Sequence, residues 1–209
     1  MSLEYIDTHA HLDYPEFEHD WPAVLDRAQA AGLVRIVAVG TDADSSERCV
    51  AMSGRFDLLR AAVGIHPTHL LSVQPADWDR IVTLTEQDEV VAIGETGLDL
   101  YWKETPLPLQ QEYFDRHLRL SQETNLPVII HQRDSAEEIL VMLREARKRG
   151  PLTGIMHSFA ASAAVATECL ELGLHVSFAG MVTFKNAADL RAIAESIPAD
   201  RILIETDSP

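Results

Sequence analysis

Eight short apolar runs, separated by stretches of helical character, leave this chain few ways to fold. The runs cover 3–6, 33–40, 58–65, 90–95, 127–131, 153–157, 174–178 and 201–207. Between them the spacing of apolar positions and the Pro and Gly punctuation predict helices over 21–31, 44–52, 75–87, 108–125, 135–148, 162–172 and 187–197. A strand whose residues are almost all apolar is buried on both faces, which is the habit of parallel sheets. Helical crossovers between successive strands supply the parallel connections. The expected fold is therefore α/β, a TIM-type (β/α)8 barrel, with residues 1–209 forming one domain. No further helix follows the eighth run, so part of strands 8 and 1 is expected to lack cover. An open doubly wound sheet fits less well, because no Gly-rich phosphate loop follows the first run.

Such barrels assemble their sites at the C-terminal ends of the strands. The metal-capable side chains of this chain fall there. His9 and His11 end the first run and, being two apart in an extended strand, aim at one point. Glu95 ends the fourth, His131 the fifth, His157 the sixth and Asp207 the eighth. A neutral imidazole and a carboxylate are both good ligands for a divalent ion. His66 follows the third run. Pro67 comes next, so His66 reads as a substrate-facing or supporting group more readily than as a ligand. Arg133, just beyond His131, suits a phosphate because its planar fork donates two hydrogen bonds, although an ion pair with Asp134 is an equal alternative. Lys185 has the same two readings. Tyr101, Trp102 and Phe184 can stack on bases or simply pack.

The formal net charge is -16, which excludes a broad basic surface for nucleic acid or anionic lipid. A small site with local positive charge remains compatible with it. No apolar run reaches the roughly 18 residues of a membrane span. Met1-Ser2-Leu3-Glu4 has no basic region followed by an apolar stretch, and the two cysteines suggest neither a disulfide framework nor a thiolate site. A cytoplasmic protein is expected, with a monomer slightly favoured.

Several segments together resemble the TatD family of metal-dependent deoxyribonucleases, within the amidohydrolase-like hydrolases. They are Asp7-Thr8-His9-Ala10-His11-Leu12-Asp13, Gly64-Ile65-His66-Pro67, Gly94-Glu95-Thr96-Gly97-Leu98-Asp99 and Pro127-Val128-Ile129-Ile130-His131-Gln132-Arg133-Asp134. Met156-His157-Ser158-Phe159, Thr183-Phe184-Lys185-Asn186 and Glu205-Thr206-Asp207-Ser208-Pro209 complete the set. The chain departs from the family pattern at Ser158, where cysteine is frequent, and at Ala160-Ala161, which replace Ser-Gly.

The resemblance implies two divalent ions. His9, His11, Glu95 and Asp207 would hold one. Glu95, His131 and His157 would hold the other, with Glu95 bridging. It also implies hydrolysis of DNA phosphodiester bonds by water that the ions activate. Asp207 is the candidate to orient that water and take its proton, beside Glu95 as the second catalytic group. Arg133, Lys185 and His66 would meet phosphate charge. Zinc, manganese, magnesium or cobalt would suit mixed imidazole and carboxylate ligands. The rival expectations are an amidohydrolase or phosphotriesterase of a small molecule, and a metal-binding scaffold without turnover.

Overall fold

Strand and helix alternate along the computed structural model, which describes residues 3–17 and 19–209. The order is β1 (Tyr5–Ala10), α1 (Trp21–Ala30), β2 (Leu33–Val39), α2 (Ala43–Ser53), β3 (Leu59–Val63), α3 (Asp77–Leu84), β4 (Val90–Asp99) and α4 (Leu107–Thr124). Then come β5 (Val128–Arg133), α5 (Ala136–Arg149), β6 (Gly154–Met156), α6 (Ala163–Glu171), β7 (Leu174–Phe178), α7 (Ala188–Ser196) and β8 (Ile202–Ile204). Short 3-10 helices lie at Pro15–Phe17, Pro67–Ser72 and Gly180–Thr183. The strands pair in sequence order, all parallel. This is the expected TIM (β/α)8 barrel.

The ring closes between β8 and β1 through irregular contacts. His11 N donates to Ser208 O at 2.7 Å, and Asp207 N donates to His9 O at 2.9 Å. Side chains reinforce this seam. The Asp7 carboxylate accepts from Thr206 N at 3.0 Å and Thr206 Oγ1 at 2.7 Å, while Thr8 Oγ1 donates to Ile204 O at 3.0 Å. The same contacts that close the barrel thus fix His9 and His11 against Asp207. Outside the seam, Leu3, Tyr5, Ile6 and Ile204 are exposed.

Two apolar layers support the ring. A cluster contributed by strands alone, Val39, Ala62, Ala92 and Ile129, packs in the lumen. The larger layer lies between strands and helices and includes Leu98, Phe114, Leu118, Ile130, Leu143 and Met156. Full burial of each such side chain is worth about 1.5–3 kcal/mol. Among the described residues no helix is long and apolar enough to cross a membrane.

Helix ends follow local chemistry. α2 begins at Ala43, one residue before the predicted 44–52, because Asp42 is its cap and accepts from Ser45 N at 2.8 Å. Ser135 stands at the start of α5 but does not cap it; its hydroxyl donates to Leu98 O at 2.8 Å. Asn125 ends α4 in the left-handed region at φ 58°, which its short polar side chain tolerates.

His117, on the inner face of α4, is fully buried. Its Nδ1 donates to Tyr113 O at 2.7 Å and its Nε2 accepts from Ile65 N at 3.1 Å. Burial lowers its pKa to about 4. The unfolded chain therefore takes up a proton near pH 6.5 that the folded ring refuses until about pH 4. Stability from this group is complete above pH 6.5 and is lost as pH falls toward 4, a loss on the order of 3 kcal/mol at about 1.4 kcal/mol per pH unit. Denaturant titrations of metal-free protein across this range should show a steeper decline than those of His117→Gln. Equal slopes would contradict the assignment.

Candidate metal centre

The longest strand builds the middle of the site. The sequence predicts the fourth strand to stop at Glu95, but it continues to Asp99. Gly94 and Gly97 have φ 140° and 145°, values open to glycine and costly for other residues. A Cβ at Gly94 would also lie 2.6 Å from Ile129 O. The pairing with β5 shifts register between Ile93 and Thr96. Bulges of this kind re-aim a side chain, and here Glu95 ends buried among imidazoles.

The two carboxylate oxygens of Glu95 face different sets of rings. Oε1 lies 2.9 Å from His131 Nδ1, 3.0 Å from His157 Nε2 and 3.6 Å from His66 Nε2. Oε2 lies 3.3 Å from His9 Nε2 and 3.6 Å from His11 Nε2. Asp207 Oδ1 completes that second side, 3.8 Å from His9 Nε2 and 3.7 Å from His11 Nε2. Asp207 and Ser158 hold left-handed backbone at φ 57° and 44°, and Asp207 keeps about a third of its side chain exposed. Every metal-capable residue that the sequence places on this rim converges here.

Hydrogen bonds on the far side of each ring sort the histidines. His11 Nδ1 meets the carbonyl of Val39 at 3.0 Å, so it carries the proton and leaves Nε2 with a lone pair. His131 Nε2 meets Asp99 Oδ2 at 2.9 Å and His157 Nδ1 meets Glu205 Oε1 at 3.2 Å. These carboxylates free Nδ1 of His131 and Nε2 of His157 toward Glu95. His66 is the opposite case. Thr68 N donates to its Nδ1 at 3.2 Å, so in the neutral ring Nε2 is the N–H. Burial, opposed by Glu95, pushes the His66 pKa down to about 3. His66 groups spatially with Glu95 and His131 as a metal-capable trio, but its tautomer makes it a hydrogen-bond donor into the cleft.

The charges are tightly balanced. Burial disfavours ionised Glu95, yet His157, His66, His9 and the His131 hydrogen bond outweigh it and hold the carboxyl well below the usual range. Burial also opposes a charged His157, but Glu95 and Glu205 raise its pKa well above the ordinary value. His131 is raised in the same way by Asp99 and Glu95. Burial, then the neighbouring His157, lowers His9. Without a cation, protons on His131 and His157 offset the buried acids. A divalent ion does the same with its own charge, and metal binding to such ligands releases protons. The donor set fits that exchange.

Asp99 and Glu205, which the sequence does not mark as site residues, stand behind His131 and His157. Glu205 Oε1 also accepts from Ser158 N at 2.5 Å. Their one sequence signal is that each is an acid inside a rim motif, four residues after Glu95 and two before Asp207. Carboxylates behind ligating imidazoles fix ring orientation and raise basicity. Arg133 lines the cleft, of about 510 Å³, together with His66 and Asp207. The alternative ion pair with Asp134 does not form; the Arg133 guanidinium lies instead over the Tyr101 ring, 4.0 Å from its centre. Lys185 is exposed on the segment after the 3-10 helix Gly180–Thr183 and is not among the residues lining the cleft.

The family model described as TatD related DNase matches residues 6–209. The chain belongs to the TatD family. Among its TatD-family relatives, the uncharacterized metal-dependent hydrolase YabD of Bacillus subtilis is 42% identical over 97% of this chain and 79% of its own length. The protein named 3'-5' ssDNA/RNA exonuclease TatD of Klebsiella pneumoniae is 33% identical, over 97% of this chain and 77% of its own. The crystal structure of YJJV, a TatD homologue from Escherichia coli, superposes with a TM-score of 0.91 at 31% identity, covering 97% of this chain and 78% of that one. This TatD-family chain is a metal-dependent hydrolase.

Proposed function

We propose that this chain is a metal-dependent nuclease that hydrolyses DNA phosphodiester bonds, acting as one barrel domain over residues 1–209. The observation that carries the reading is the division of Glu95, with one oxygen turned to His131 and His157 and the other to His9, His11 and Asp207. That arrangement suits a carboxylate bridging two divalent ions. Zinc, manganese, magnesium and cobalt are the candidates. A relative 33% identical, named as an exonuclease of single-stranded DNA and RNA, supports a nucleic-acid substrate. A cytoplasmic site of action belongs to the same proposal and rests on two free, buried cysteines.

In this reading His9, His11, Glu95 and Asp207 would hold one ion, and Glu95, His131 and His157 would hold the other. When bound, such a pair supplies Lewis-acid activation of water and neutralisation of phosphate charge. Asp207 is accessible to water and sits at the edge of the His9–His11 side, so it orients the attacking water and accepts its proton. His66 donates its Nε2–H to a phosphate oxygen. Arg133 offers its fork to the same anion. Lys185, outside the cleft, meets a more distant phosphate. Local positive charge of this kind answers the net charge of -16.

The test is cleavage of a single-stranded DNA oligonucleotide before and after chelation. Turnover should vanish on demetallation and return with manganese, zinc, magnesium or cobalt. Unchanged turnover in fully demetallated protein would overturn the metal-dependent reading. Hydrolysis of lactones or amides with no effect on DNA would overturn the nuclease reading.

A further inference from the structure

Just past the metal centre, β4 ends in a turn that carries two half-exposed aromatic rings. Asp99 Oδ1 accepts from Tyr101 N at 3.0 Å and from Trp102 N at 2.9 Å. The buried Gln110 braces the turn: its Oε1 accepts from Asp99 N at 2.8 Å, and its Nε2 donates to Asp99 O at 3.0 Å and Thr105 O at 2.9 Å. The turn is therefore fixed, yet Tyr101 and Trp102 are 51% and 50% exposed. Their rings meet edge to face, with centres 5.1 Å apart. The Arg133 guanidinium lies 4.0 Å from the Tyr101 ring centre and 6.0 Å from that of Trp102. Among the described residues Arg133 has no carboxylate partner.

This turn is joined directly to the metal centre. Asp99 holds the aromatic turn with Oδ1 and His131 with Oδ2, and His131 Nδ1 lies 2.9 Å from Glu95. Arg133 belongs at once to the cleft lining and to the aromatic group. A polyanion approaching an acidic protein gains little from long-range attraction. Stacking on a fixed aromatic face supplies affinity that needs no broad basic surface and tolerates any base. It does require a base whose face is free, as in a single strand.

We propose that Tyr101 and Trp102, flanked by Arg133, form a stacking subsite for an unpaired nucleobase next to the scissile phosphate of single-stranded nucleic acid. The subsite rests on the nuclease reading above and adds to it where the base goes. Arg133 bridges the two regions: its guanidinium lies over the Tyr101 ring at the cleft wall and pairs with no carboxylate among the described residues, which leaves its N–H groups for the phosphate.

Steady-state cleavage of single-stranded DNA by Tyr101→Leu and Trp102→Leu, with metal content measured in parallel, tests this. Trp102→Leu should raise KM by about 5- to 150-fold, the range of one lost base–aromatic stack, and Tyr101→Leu, which removes the ring set edge to face against Trp102, should raise it by less, in both cases with the effect in KM rather than kcat and with wild-type metal content. Trp102→Phe, which keeps a ring face, should recover most of the loss. For the wild type, an oligonucleotide carrying abasic sites near the cleaved bond should show the raised KM of the variants, and the leucine variants should lose nothing further on it. Wild-type KM in both leucine variants would overturn the subsite and leave the nuclease reading standing. A fall in kcat together with loss of metal would overturn it in favour of a structural role for the turn through Asp99. Absence of any DNA cleavage by the wild type would overturn both readings.

Discussion

Glu95→Ala will bind no more than a trace of metal and will lose turnover to background, a fall of roughly 10⁶-fold or more, since enzymes rarely accelerate their reactions by less. The reason lies in the division of its carboxylate. Oε1 serves the His131–His157 side at 2.9 and 3.0 Å, and Oε2 serves the His9–His11 side at 3.3 and 3.6 Å. Removing one side chain thus removes an oxygen from both sides. It also strips His157 of the partner that most raises its pKa against burial, so the rings lose their electrostatic support together. Glu95→Gln, nearly the same shape, separates charge from packing. It should fold as the wild type does and hold at most one ion per chain. Elemental analysis of the purified variants, beside their rates on DNA, checks both expectations. Wild-type metal content in Glu95→Ala would show that Glu95 does not bridge.

The second large effect is expected at Asp207. Its side chain is about a third exposed, with the carboxylate at 3.8 and 3.7 Å from His9 and His11. That position suits a group that takes a proton from water better than one that only completes a ligand set. Asp207→Asn keeps an oxygen for the metal and loses the base. It should slow kcat by about 10²–10⁴-fold, the usual worth of general base catalysis, while metal content stays near that of the wild type. The barrel seam should survive too, because the bond from the residue 207 N–H to His9 O belongs to the backbone. Full activity in Asp207→Asn would remove it from the proton-transfer role.

How far the sequence revealed this arrangement follows from the range over which each signal acts. The strand and helix alternation is a local signal, so apolar spacing with Pro and Gly punctuation is enough to predict the barrel. The alternation of side chains along a strand was enough to aim His9 and His11 at one point, and their Nε2 atoms lie 3.2 Å apart. The glycines of β4 carry a signal that points the wrong way. Gly94 and Gly97 look like strand breakers, but here they let the strand bulge and continue to Asp99. The carboxylates behind the rings were hidden for a different reason. Asp99 and His131 are 32 residues apart, and Glu205 and His157 are 48 apart; only the closed barrel brings them together. The tautomer of His66 depends on one backbone N–H, that of Thr68, which no residue pattern encodes. Arg133 is a similar case, because its choice of Tyr101 over Asp134 rests on the course of the β4 turn.

Anomalous diffraction from a crystal of the wild-type protein soaked in manganese or zinc reads the centre most directly. Two peaks should appear, one between Glu95 Oε1 and the rings of His131 and His157, the other between Glu95 Oε2, His9, His11 and Asp207, with none displacing His66 from Thr68. A single peak held by His66, or peaks lying away from Glu95, would contradict a cation pair bridged by this carboxylate.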